Sequence, residues 1–239
     1  MIPSGLHELD LISCRRCKNL PSLENIPNLT RLFLQAFDGV RNIGKDFGQH
    51  LALKELALID FPNLKTWLSP GSGRPVFPNL RKLFLNKCPL LVIMPQVLSI
   101  QHLDLQVCNA LLLDSFPNLT SLKTLVIQRV PNLLHFPAVF PSNNPFLTTL
   151  EIKSCSRLRF LPDKFGNLAA LKSVTIQWCE NLLSLPPSLH NLSALESLEI
   201  GDCHRLTCLS PGWTRGLGSL RSLSIGNCSK LSSLSMECQ

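Results

Sequence analysis

The stretch Leu171–Pro186, LKSVTIQWCENLLSLP, decides the fold. Its apolar residues are Leu171, Val174, Ile176, Leu182 and Leu185, with Cys179 between the two groups. Val174 and Ile176 lie two apart, the spacing of a strand with one buried face. The same frame returns in LTTLEIKSCSRLRFLP from Leu147, LESLEIGDCHRLTCLS from Leu195 and LRSLSIGNCSKLSSLS from Leu220. Working outward from it gives ten units, starting at Leu6, Leu29, Leu53, Leu80, Ile100, Leu122, Leu147, Leu171, Leu195 and Leu220, spaced 20–27 residues apart. A motif copied at such a period is a unit that cannot bury its apolar face alone and must stack on its neighbours.

Period and pattern together fit leucine-rich repeats. The expected fold class is an α/β solenoid, a horseshoe of about ten repeats forming a single domain over residues 1–239. Strands of successive units pair in parallel on the concave face, and the rest of each unit supplies the crossover that parallel pairing requires. Segments such as 163–171 (DKFGNLAAL) and 187–195 (PSLHNLSAL) are too short and too proline-punctuated for long helices, so loops and short 3₁₀ or helical turns are expected on the convex face. The Gly- and Pro-rich segments 69–77 and 137–145 read as surface loops. Neither end carries a recognisable polar capping unit, so atypical caps or a longer parent protein are expected.

Composition narrows the function classes. Hydrophobic residues make up 45% of the 239 and charged residues 16%, enough for a continuous core. The net charge of +7 is spread singly rather than in blocks, which reads as a solvated basic surface rather than a nucleic-acid site. No run of about 18 apolar residues suggests a membrane span, and the first ten residues lack the pattern of a signal peptide. The chain is therefore expected to be cytoplasmic, with no membrane partner. Seven of the ten cysteines, Cys14, Cys88, Cys108, Cys155, Cys179, Cys203 and Cys228, share the slot after the strand. They are expected to form a ladder of small buried thiols, with disulfides absent. The lone C-x-x-C, Cys14–Cys17, has no second pair to complete a zinc site. There is no phosphate-binding glycine loop, metal-protease helix motif or nucleophile elbow. No enzyme activity, metal or cofactor is expected.

What remains is the displayed face. The positions between the strand leucines read Asp10, Phe33, Ala57, Phe84, Asp104, Val126, Glu151, Thr175, Glu199 and Ser224. The next column reads Ile12, Gln35, Ile59, Asn86, Gln106, Gln128, Lys153, Gln177, Gly201 and Gly226, and the one beside the cysteine slot runs from Ser13 through Lys87, Arg129 and Trp178 to Asn227. Aromatic residues beside Arg, Lys and Gln are the composition of protein-interface anchors. The candidate protein-binding residues are Phe33, Arg81, Phe84, Lys87, Asp104, Gln128, Arg129, Lys153, Gln177 and Trp178. Arg81, Lys82 and Lys87, followed by Lys123, Arg129, Lys153 and Lys172, are expected to form a positive stripe across the middle of the face. Acids such as Asp104, Glu151 and Glu199 interrupt it, which suits a protein ligand better than nucleic acid.

The frame L-x-x-L-x-I-x-x-C-x-x-L-x-x-L-P, the FPNL phrases at Phe61, Phe77 and Phe116 and the connections PDKFGNLAAL and PPSLHNLSAL resemble the C-terminal repeats of plant intracellular nucleotide-binding immune receptors of the coiled-coil class. The N-x-x-x-G-x-I-P phrase of secreted plant receptors is missing. The resemblance implies a defence module that senses a pathogen effector or host guardee on its concave face and holds a nucleotide-binding domain of the parent protein inactive. This chain has no such domain, coiled coil or M-H-D motif of its own. A general scaffold, or the substrate-recruiting arm of a ubiquitin ligase, is the alternative reading.

Overall fold

In the computed structural model, the residues described are 5–68, 76–115, 119–137, 140, 142–209, 212–213 and 215–232. Segment 69–75 of the first expected loop and residues 138, 139 and 141 of the second lie outside them, as does Phe116 of the third FPNL phrase. The chain divides into two compact units, Met1–Ser121 and Leu122–Gln239.

The first unit holds β1 (Glu8–Ile12), β2 (Arg31–Gln35), β3 (Asn42–Ile43), β4 (Glu55–Ile59), β5 (Thr66–Trp67), β6 (Lys82–Asn86) and β7 (His102–Gln106). The five longer strands pair in parallel in the order β1-β2-β4-β6-β7. The short β3 and β5 form a second parallel pair in the crossovers. The second unit holds β8 (Thr124–Gln128), β9 (Thr149–Lys153), β10 (Ser173–Gln177), β11 (Ser197–Gly201) and β12 (Ser222–Gly226), parallel and in chain order. All ten long strands sit at the expected place in their repeat. Among the described residues the crossovers contain 3₁₀ turns, such as Phe165–Asn167 and Pro187–Asn191, and no α-helix.

Alternation along the strands between β1 and β12 builds the core. Leu32 and Leu34, Leu56 and Leu58, and Val174 and Ile176 point inward and are at most 1% exposed, while their neighbours face out. The crossovers return a second apolar layer: Phe47, Trp67 and Phe77 pack edge to face in the first unit. In the second, Phe165, Leu168, Leu189 and Leu192 are buried behind the sheet. Here the backbones of successive crossovers nearly touch. A Cβ on Gly166 would stand 2.2 Å from the Ser188 carbonyl oxygen, so glycine is required by close approach.

The slot after each strand points inward. Cys88, Cys108, Cys155, Cys179 and Cys203 are buried there as free thiols, and Cys14 and Cys228 are half-buried. Each Sγ donates to the carbonyl two residues earlier, as Cys179 does to Gln177 at 3.6 Å, and several reach the preceding repeat, as Cys179 does to Ile152 at 3.9 Å. In the second and third repeats Phe37 and Phe61 occupy the slot and stack with centroids 5.2 Å apart. Cys208, outside the ladder, corrects the expectation that disulfides are absent: it is disulfide-bonded.

Burial pushes the Cys155 and Cys203 thiols up to about 11, and Cys179 up as well. Each raised group holds its proton more tightly folded than unfolded. Its stabilisation is therefore complete below the ordinary thiol value of about 9 and is lost as pH rises from there towards 11. The urea midpoint is expected to be flat from pH 7 to 8.5 and to fall by pH 10.5, less so in Cys155→Ala/Cys203→Ala. Alkylation of the folded chain at pH 8 should label exposed Cys17 while sparing the five buried thiols. Gly166→Ala is expected to destabilise by about 2 kcal/mol, as overpacking does, whereas Gly44→Ala, with open space at its Cβ, should leave the melting temperature unchanged.

Candidate functional site

Each long strand offers three outward positions, and the register aligns them into columns. In the first unit the central column is Asp10, Phe33, Ala57, Phe84 and Asp104, and the next is Ile12, Gln35, Ile59, Asn86 and Gln106. In the second the corresponding columns are Val126, Glu151, Thr175, Glu199 and Ser224, then Gln128, Lys153, Gln177, Gly201 and Gly226.

The column beside the cysteine slot has a different character. Ser13, Ala36, Asp60, Lys87, Val107, Arg129, Ser154, Trp178, Asp202 and Asn227 all have φ between 50° and 62°. Each is a left-handed residue that ends its strand and swings the next side chain into the core. Its N–H continues the inter-strand ladder, as Trp178 does to the Gly201 carbonyl oxygen at 3.0 Å and Lys87 to Gln106 at 2.9 Å. This conformation costs roughly 1 kcal/mol or more for a residue other than glycine, and Val107 is β-branched as well. Only Asp60, Asp202 and Asn227 are of the types that favour it, so the residue types at this position hardly announce it. Lys87, Arg129 and Trp178 thus sit at the strand-end rim, all exposed, with the Trp178 indole 49% accessible.

A column absent from the sequence reading lies at the strand starts. In the first unit it reads Glu8, Arg31, Glu55, Lys82 and His102, alternating in sign before the histidine. Arg31 reaches Glu8 at 3.0 Å, Asp10 at 3.2 Å and Glu55 at 3.7 Å, and Lys82 reaches Glu55 at 3.3 Å. Exposed pairs of this kind contribute under about 1 kcal/mol each, but together they hold the side chains in one arrangement. The signal was legible in the residue before the first strand leucine of each repeat. The second unit has Thr124, Thr149, Ser173, Ser197 and Ser222 instead.

The expected positive stripe does not form. In the first unit Arg81 stands one residue before β6, Lys82 lies in the strand-start column against Glu55, and Lys87 lies at the opposite rim. In the second unit Lys123 and Lys172 precede their strands, Arg129 is at the turn, and Lys153 is paired with Glu151. The two-residue period puts basic residues that are close in sequence at different heights. The structure instead gathers Phe33, Phe84 and Asp104 around a hollow of about 260 Å³ on the first unit's face. Ala57 lies between the two phenyl rings, Arg31 and Glu55 stand on one side, and Asn86 and Gln106 on the other. The Phe84 ring leans on His102 with centroids 5.2 Å apart. On the second unit Gln177 donates to Glu199 at 2.6 Å, so that face is polar and largely satisfied by itself. No group of three or more metal-ligating side chains occurs among the described residues, and no helix there is long and apolar enough to cross a membrane.

Against solved structures, the leucine-rich-repeat domain of the type III effector XopL aligns with a TM-score of 0.74 and 24% identity, covering 92% of this chain and 76% of that one. The chain is a leucine-rich-repeat solenoid. No family model matches it. By sequence this solenoid resembles plant disease resistance proteins. It is 31% identical over 169 residues to a putative disease resistance RPP13-like protein of Arabidopsis thaliana, and 31% identical over 152 residues to the putative disease resistance protein RGA1 of Solanum bulbocastanum. Each match covers 62% of this chain, but only 16% and 15% of those relatives.

Val107→Asn, which relieves a β-branched left-handed residue, is expected to raise stability by about 1 kcal/mol in urea unfolding. Trp178→Asn should leave the melting temperature level or raise it, because the indole is half in solvent and its backbone is strained.

Proposed function

We propose that this solenoid is the protein-recognition module of a plant intracellular immune receptor, sensing a pathogen effector or a host protein that the effector alters. The observation that carries this reading is the similarity to disease resistance proteins across 62% of the chain. The division of each repeat supports it. Inward positions are copied from unit to unit, whereas the outward columns change residue by residue and hold Phe33, Phe84 and Trp178. Half-exposed aromatic side chains among polar ones are the composition of interface anchors. The module acts by binding rather than by catalysis, in the cytoplasm of the plant cell. In the parent protein it would also contact the nucleotide-binding domain and restrain it until ligand arrives.

The test is a leaf cell-death assay with the parent receptor. Phe84→Asp and Trp178→Asp leave the core untouched and are expected to abolish the ligand-dependent response without lowering receptor accumulation. A response equal to wild type from both variants would remove the sheet face from recognition.

A further inference from the structure

We infer that the hollow between Phe33 and Phe84 is an anchor pocket for one apolar side chain of a partner segment whose neighbouring residues are basic. This rests on the proposed recognition role of the sheet face. Phe33, Ala57 and Phe84 are consecutive in the central column, on β2, β4 and β6. Adjacent strands lie about 4.8 Å apart, so the two phenyl groups are separated by two such steps with only a methyl group between them. The opening is 260 Å³, below the roughly 300–1,000 Å³ of small-molecule sites and suited to a single side chain.

The floor is apolar: Ala57 is 7% exposed, and Leu56 and Leu58 beneath the sheet are fully buried. The core is therefore complete without any contribution from the hollow, and packing does not demand the alanine. Several of the charged groups at the edge are already engaged. Glu55 is held by Arg31 and Lys82, and Asp104 accepts from the Gln106 amide at 3.1 Å. An incoming group gains chiefly by covering apolar surface. A desolvated anchor ringed by groups that exclude water is the geometry in which interface energy concentrates.

Charge selects the flanks. The outward positions of the first unit's five long strands carry Glu8, Asp10, Glu55 and Asp104 against Arg31 and Lys82. At the strand-end turns Asp60 and Lys87 cancel. The outward strand positions are net acidic on a chain whose net charge is +7, with Lys54 and Arg81 standing outside them, one residue before β4 and β6, and Asp10 and Asp104 bracket the apolar trio at either end. A segment with Lys or Arg on both sides of its apolar anchor matches that pattern and would be steered to it.

The experiment pans a random 12-residue phage-displayed peptide library on the whole chain and titrates the selected peptides, made synthetically, by fluorescence anisotropy. Selected peptides are expected to carry Leu, Ile, Met or Phe flanked by Lys or Arg, and to weaken as salt rises from 0.05 to 0.5 M. Ala57→Met, which fills the hollow, and Phe84→Ser, which removes a wall, should each lower affinity at least tenfold, with circular dichroism melts confirming the fold. Peptides that bind both variants as well as wild type, or that carry acidic flanks, overturn the pocket. Peptides lost on Trp178→Ala but not on Ala57→Met overturn it too, while leaving the recognition reading standing. Selection of no peptide at all also counts against the pocket, and the leaf assay then judges the broader reading separately.

Discussion

A single repeat of this chain cannot satisfy its own backbone. Its five-residue strand bears N–H and C=O groups on both edges, and the partners come from the repeats before and after. The parallel ladder is the constraint on which the rest depends. It continues one residue past most of the long strands through the N–H of the left-handed residue, as from Asp60 to the Asn86 carbonyl oxygen at 2.8 Å. That residue then turns the chain so that the next side chain enters the core. Where a cysteine follows, its small thiol fits between repeats and donates weakly to two backbone carbonyls. Where Phe37 and Phe61 follow, the larger rings stack on each other instead. A buried polar group without such a partner would cost about 1–3 kcal/mol, which is why the slot tolerates few residue types.

This arrangement separates stability from recognition. Inward leucines and slot residues are held by packing and cannot vary without loss. The outward residues of the same strands contribute little to the core, so they are free to change in charge and size. The two units use that freedom differently. The first displays an alternating ion-pair ladder beside an aromatic hollow. The second displays a hydroxyl column, internally bonded carboxylates and a glycine pair at Gly201 and Gly226 next to Trp178. The strand-end column is the exception to the separation, because Trp178 and Val107 are displayed on a strained backbone. There, surface display and stability oppose each other.

The candidate residues show how far pattern reasoning reaches. Phe33, Phe84 and Asp104 were found because the two-residue period assigns them to one face, and the register does bring them together. Gln128, Lys153 and Gln177 lie in one column for the same reason, but Lys153 is taken up by Glu151. Arg81, Lys82 and Lys87 looked like a patch because they are close in sequence. Adjacent residues on a strand point to opposite sides, and residues beyond its ends lie on different rims, so the patch dissolves.

The sequence by itself determined the repeat, its ten copies, the inward residues and the outward columns. All of these follow from a period, and a period survives in one dimension. Only the tertiary structure decided which outward residues are already paired, that each of the ten long strands ends in a left-handed turn, and that Ala57 leaves a hollow between two phenyl rings. The hollow and the ion-pair ladder around Arg31 arise between residues more than twenty positions apart. Their distances are set by the stacking of repeats, which no local pattern records.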